Sequence, residues 1–194
     1  YLYTEQYEKA EHYYKKALTV DGQNAEAYNS LAEVYFYGKK QYEEAYQFYT
    51  KMLEIEEQNE EDVCSSYLCL MRVCYHKKDK EKCLEYFELY RRKIEQQYGG
   101  DEFYLAGFYI MRRLYLYGCI QVYIGQIEKA KEYLSRMRES MVCRGCMFSY
   151  CSEYWGLSGL IEQVSKNYDK AKEDYQKALN IDPNLMYVRF CLEM

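Results

Sequence analysis

Small and aromatic side chains recur along this chain at fixed offsets, and that recurrence limits the possible folds more than any other feature. In the last third, Trp155, Ser158 and Gly159 are followed by Tyr168, Ala171, Tyr175, Ala178 and Pro183. These are the offsets of one helix, a turn and a second helix. The same small, aromatic, small spacing appears at Ala10, Tyr14 and Ala17, and Tyr28, Leu31, Ala32, Tyr35, Ala45 and Tyr49 form a further copy with one extra residue. A period in the mid-thirties predicts a solenoid, because each helix pair buries its apolar face only by stacking on its neighbours.

Composition agrees with this reading. One proline and ten glycines in 194 residues predict long helices joined by short turns. Hydrophobic residues make up 49% of the chain, yet no stretch approaches the roughly 20 consecutive apolar residues of a membrane span. A soluble protein without a membrane partner is expected. The net charge of -5 argues against nucleic acid as a partner, since that affinity needs clustered Lys and Arg. The nine cysteines are odd in number, and Cys74, Cys83 and Cys119 fall where a repeat wants a small buried side chain. Reduced thiols used as small hydrophobes in a cytoplasmic protein are the expectation. The sequence opens at Tyr1 inside a helical pattern without an initiator Met or signal peptide, which reads as a segment of something larger.

The pattern divides into units of about 1–22, 24–58, 61–97, 101–141 and 146–183, with a C-terminal helix at 184–194. Within each unit the helices are lettered A and B. They are expected at about 6–19, 24–37, 41–57, 61–77, 80–97, 101–124, 127–140, 146–165 and 168–180. Asp21-Gly22, Gly38-Lys39-Lys40, the run His76 to Lys80, Gly99-Gly100-Asp101, Gly125 and Asp182-Pro183 punctuate them. Equivalent small residues lie 35 apart from Ala10 to Ala45, then 38 to Cys83, 47 to Ala130 and 41 to Ala171. Extra turns in the A helices of units four and five are the simplest way to take up the excess.

These residues resemble the tetratricopeptide repeat (TPR) family over nearly the whole chain. Trp155, Ser158, Gly159, Ala171, Tyr175, Ala178 and Pro183 follow the family pattern closely, and repeat two departs only at Met52 and Glu57. Repeats three and four match more weakly, the latter with Gln121 where an aromatic is usual. The resemblance implies an all-α fold: a right-handed superhelical solenoid of antiparallel helix pairs with about 4.5–5 repeats. It also implies a binding scaffold whose partner is a protein or peptide, with no chemistry of its own and no cofactor.

In this family helix A lines the concave groove. Carried over to this sequence, the groove positions are Asn29, Glu33 and Tyr37 in repeat two, Arg72, Tyr75 and His76 in repeat three, and Arg112, Tyr115 and Tyr123 in repeat four. Repeat five offers Glu153, Leu160 and Gln163. Tyr and Arg suit binding hot spots, because they supply area with few torsions and a rigid donor fork. Against this stands the abundance of Tyr, 27 residues, which would line any surface, and the capacity of the arginines to pair with neighbouring Glu. A chaperone-type carboxylate clamp is not expected, since its Lys and Asn slots hold Asn29 but otherwise Glu33, Leu68 and Tyr115.

Two other groupings are weighed. Cys143-Arg144-Gly145-Cys146 with Cys151 has the spacing of half a zinc site, but a structural site needs four ligands and the only histidines, His12 and His76, are distant. No metal is assigned. Glu56-Glu57 and Glu60-Glu61 are read as a solvated helix end, and no phosphate loop or Ser-His-Asp grouping is present. The chain is therefore not expected to be an enzyme. The apolar side of the last helix, Met186, Val188, Phe190 and Leu192, packs on repeat five or, if uncovered, mediates homodimerisation. The leading reading is a peptide-binding scaffold. The alternative is a sensory or regulatory TPR domain of a larger signalling protein or transcription regulator.

Overall fold

Each turn between the two helices of a pair contains one residue in the left-handed region, always five positions before the small residue of helix B. Lys40, Lys78, Gly125 and Lys166 have φ of 54°, 60°, 80° and 66° and precede Ala45, Cys83, Ala130 and Ala171 respectively. The residue after each donates its N–H back to the end of helix A: Asp79 to Cys74, Gln126 to Gln121 and Asn167 to Glu162, at 2.9, 2.7 and 2.9 Å. This closure satisfies carbonyls that the helix end leaves open and reverses the chain in few residues.

The structure is a computed structural model, and it describes residues 7–59, 63–100, 110–140 and 152–194, leaving aside the side chains of 110–112 and 140. Among these residues there are ten α-helices and no strand. They are α1 (Tyr7–Val20), α2 (Ala25–Glu33), α3 (Tyr42–Gln58), α4 (Cys64–His76), α5 (Lys80–Tyr98), α6 (Ile110–Tyr123), α7 (Ile127–Ser140), α8 (Ser152–Val164), α9 (Tyr168–Ile181) and α10 (Met186–Leu192). The expected helix ends hold to within a few residues. The first parts of the A helices expected at 101–124 and 146–165 lie outside the described residues, as do Glu60-Glu61 and the cysteines 143, 146 and 151.

Repeat two shows where its extra residue goes. After α2 the chain makes a π turn, Val34–Gly38, in which one residue is added to a helical turn. The closing bond then spans six residues, from the N–H of Gln41 to the carbonyl of Tyr35 at 2.9 Å. Asn24 caps α2 by accepting the Ala27 N–H at 2.8 Å, and Asp79 accepts the Lys82 N–H at the start of α5 at 3.1 Å.

The chain forms two compact units, residues 1–93 and 94–194. In the first, α1 packs on α2, α2 on α3 and α3 on α4, and the Cys83 thiol donates to the Met71 carbonyl at 3.4 Å to bring α5 against α4. Ala10, Leu31, Ala32, Ala45 and Cys83 are at most 1% exposed, so the small residues do let the backbones approach. In the second, α6 packs on α7 and α8, α8 on α9, and α9 on α10. Val188 and Phe190 are buried there, so the apolar side considered for dimerisation packs within the unit. No disulfide joins the described cysteines, Cys64, Cys69, Cys74, Cys83, Cys119 and Cys191. None of the described helices is long and apolar enough to cross a membrane.

Candidate functional site

In the first unit the π turn sets the direction of the side chains it carries. Phe36 turns inward and is buried, while Tyr37 stays half-buried on the A-helix side. Arg72 of α4 donates from Nη1 to the phenol oxygen of Tyr37 and from Nη2 to Cys69 Sγ at 3.5 Å. Its guanidinium lies 6.0 Å from the Phe36 ring centre and 5.8 Å from that of Tyr37. The donor fork is thereby held between α4 and the π turn, with less rotamer freedom to lose when a further acceptor arrives.

Glu33 lies one turn before Tyr37. Burial raises its carboxyl above the ordinary range, and the Arg72 charge draws it partly back. Tyr49 is buried beneath the same groups, and desolvation pushes its phenol well up. Burial also raises the Cys69 thiol. His76 is enclosed by rings, with Tyr75, Phe36 and Tyr42 centred 5.1, 5.2 and 5.5 Å away. Desolvation, reinforced by Arg72, pushes its imidazole down to about 4, so at neutral pH it acts as an uncharged ring. Asn29 is half-buried one turn before Glu33.

Six of the expected groove residues, Asn29, Glu33, Tyr37, Arg72, Tyr75 and His76, thus stand on the A helices of the first unit. Tyr49 and Cys69 join their cluster although the sequence reading gave them no site role. Cys69 was detectable, since it lies one helical turn before Arg72. The remaining three belong to the second unit. The side chain of Arg112 lies outside the described ones. Tyr115 and Tyr123 are 8% and 5% exposed, which corrects their placement on an open face: Tyr115 lies against Gly156 of α8, and Tyr123 meets Tyr187 of α10 edge-on at 6.2 Å. Leu160 is buried too, and Gln163 is engaged by the Tyr175 hydroxyl at 2.6 Å.

The acidic pair at the end of α3 accepts hydrogen bonds from α4, with Glu56 half-buried and Glu57 exposed. Ser66 donates to Glu56, and Tyr67 donates to Glu57 at 3.1 Å. Among the described residues no group of three or more His, Cys, Asp or Glu is placed to hold a metal ion.

Antiparallel helix pairs closed by one repeated left-handed turn, with a small residue at each crossing, define a helical-repeat protein. Tetratricopeptide repeat profiles match residues 1–24 and 25–59 and residues 152–185, and the chain belongs to the tetratricopeptide repeat family. No curated protein matches the sequence significantly. Similar solved structures include YrrB, described as a TPR protein with an unusual peptide-binding site, at 19% identity over 98% of this chain and 86% of that one with a TM-score of 0.49. The Cut9-Hcn1 hetero-tetramer of APC/C matches at 16% identity over 99% of this chain with a TM-score of 0.58, and this chain spans 33% of that one. BtubC from P. vanneervenii matches at 16% identity over 92% of this chain and 72% of that one, with a TM-score of 0.52. The likenesses to the latter two concern the fold.

Proposed function

We propose that this chain is a protein-interaction scaffold without catalysis of its own, and that the A-helix face of its first unit receives a peptide segment. The observation that carries the reading is the guanidinium of Arg72, fixed by Tyr37 and Cys69 beside the half-buried Glu33. A fixed donor and a neighbouring carboxyl can engage the carbonyl and amide of a peptide backbone together, and the rings of Tyr37 and Tyr75 offer area at low entropic cost. Peptide selection from a displayed random library against the folded chain tests it. Selected peptides should bind the Arg72→Glu variant at least about tenfold more weakly, or about 1.4 kcal/mol. Equal binding by a variant that melts like the wild type would sink the proposal.

A further inference from the structure

The second unit has a cleft of about 520 Å³ lined by Leu134 and Arg138 of α7, Tyr154, Trp155, Ser158 and Glu162 of α8, and Lys170 of α9. Its origin follows from the repeat register. Counted from Ala10 and Ala130, Tyr14 and Leu18 of α1 correspond to Leu134 and Arg138 of α7. Counted from Tyr28 and Trp155, Leu31 and Tyr35 correspond to Ser158 and Glu162.

In the first unit the equivalent space is filled by the chain itself. The Tyr35 ring packs 5.2 Å from that of Phe48, and its hydroxyl donates to Glu11 at 2.5 Å. Lys15 and Lys39 close over the same carboxylate at 2.6 and 2.5 Å. In the second unit the places of Tyr14, Leu31 and Tyr35 are taken by the smaller Leu134, Ser158 and Glu162, and the described residues leave the space open. Its volume falls in the range of ligand sites rather than of packing defects.

The walls define the chemistry. Leu134, Tyr154 and Trp155 form an apolar side, the two rings meeting edge-on at 5.1 Å. Arg138 is exposed and has no ion pair or hydrogen bond among the described residues. Lys170 is 3.9 Å from Asp174, but that carboxylate is fully buried and already accepts from Ser158 at 2.7 Å and Lys177 at 3.4 Å. Glu162, the single acid in the lining, is engaged by Asn167 at 2.7 Å. The lining therefore offers two cations with donor capacity to spare beside an apolar wall. We infer that this cleft is a second binding site, separate from the A-helix face of the first unit, for an acidic peptide segment. Such a segment sets an apolar side chain against Trp155 and a side-chain carboxylate beside Arg138 and Lys170.

Trp155 is the only tryptophan of the chain, so its emission reports on the cleft directly. The probe is acetyl-Leu-Asp-Glu-Leu amide, compared with acetyl-Leu-Asn-Gln-Leu as the amide and as the free acid. The acidic amide should shift Trp155 emission saturably and bind about tenfold or more tightly than the neutral amide. Arg138→Gln and Lys170→Gln, both at exposed positions, should each weaken it about fivefold or more. Glu162→Tyr, which installs the side chain found at the same place in repeat two, should fill the cleft and abolish the response. No shift, equal affinity for acidic and neutral amides, or binding unchanged in both Gln variants overturns the site. Preference for the free acid over the acidic amide overturns the side-chain carboxylate as its target. Because Glu162→Tyr adds apolar contact instead of removing it, a retained melting transition shows that loss of binding is not loss of fold.

Discussion

Gln41 donates its backbone N–H to the carbonyl of Tyr35 six residues back, where the corresponding bonds in the other three described turns reach five back. The one-residue excess of repeat two is thus taken up inside helix A, and the loop geometry is preserved. The consequence is functional, because the π turn presents Tyr37 to Arg72. Deleting Gly38 should restore the five-residue closure while keeping helix content unchanged by circular dichroism.

A double-mutant cycle checks what the π turn contributes. Tyr37→Phe in the wild type removes the acceptor of a charged donor and should cost about 1–2 kcal/mol. The same substitution in the Gly38 deletion should cost close to nothing, as Tyr37 no longer meets Arg72. Equal costs in urea unfolding of both backgrounds would contradict the role given to the π turn.

Glu11 governs a different pH range. Burial alone would raise its carboxyl, but hydrogen bonds from Lys15, Lys39 and Tyr35 outweigh burial and hold it down at about 2, below the ordinary 4.5. A carboxyl depressed in the folded state stabilises above its unfolded value, and that contribution is lost as pH falls through the folded one. Glu11→Gln should therefore lower the melting temperature most at pH 5 and above. The difference from wild type should shrink between pH 4.5 and 2.

His76 acts higher. With its folded value at about 4 against 6.5, the unfolded chain binds more protons between these limits, so stability rises with pH across that window. Acidification from pH 6.5 to 4 should destabilise the wild type, and His76→Phe, which keeps a ring among Phe36, Tyr42 and Tyr75, should flatten that slope. An NMR titration of the imidazole with a midpoint near 6.5 would refute the burial argument.

The outcome at these residues shows which part of the design a sequence exposes. Ala10, Ala45, Ala171 and Ala178 are buried as their spacing required, because close helix crossing admits only a few small side chains and so leaves a signature. The excess residue in repeat two was visible as a count, but whether it lengthens a loop or widens a helical turn depends on hydrogen bonding that spacing does not encode. Tyr115 and Tyr123 looked like groove residues from their offsets. Their burial depends on α8 and α10 lying over them, and a tyrosine carries the same signature whether it faces water or a neighbouring helix. The cleft beside Trp155 was legible in principle, since Glu162 and Arg138 break the register at positions filled by Tyr35 in repeat two and by Leu18 in the unit before it.

Two glycines separate steric need from helix propensity. A Cβ at Gly159 would come within 2.5 Å of Tyr175 Cδ1 and 2.6 Å of Cε1. That ring is buried, and its hydroxyl is fixed by Gln163 at 2.6 Å, so it cannot swing away. At Gly118 the obstacle is the terminal methyls of Leu157, which can turn to another rotamer. Alanine gains about 1 kcal/mol of helix propensity over glycine at either place, while overpacking a rigid neighbour costs about 1–3 kcal/mol. Gly159→Ala should therefore destabilise in thermal unfolding, and Gly118→Ala should cost less because the obstructing group yields. A Gly159→Ala protein as stable as the wild type would mean that α8 and α9 do not cross at this residue. The repeat register from Trp155 to Pro183 would then be misassigned, since the same crossing places Ser158 against Asp174.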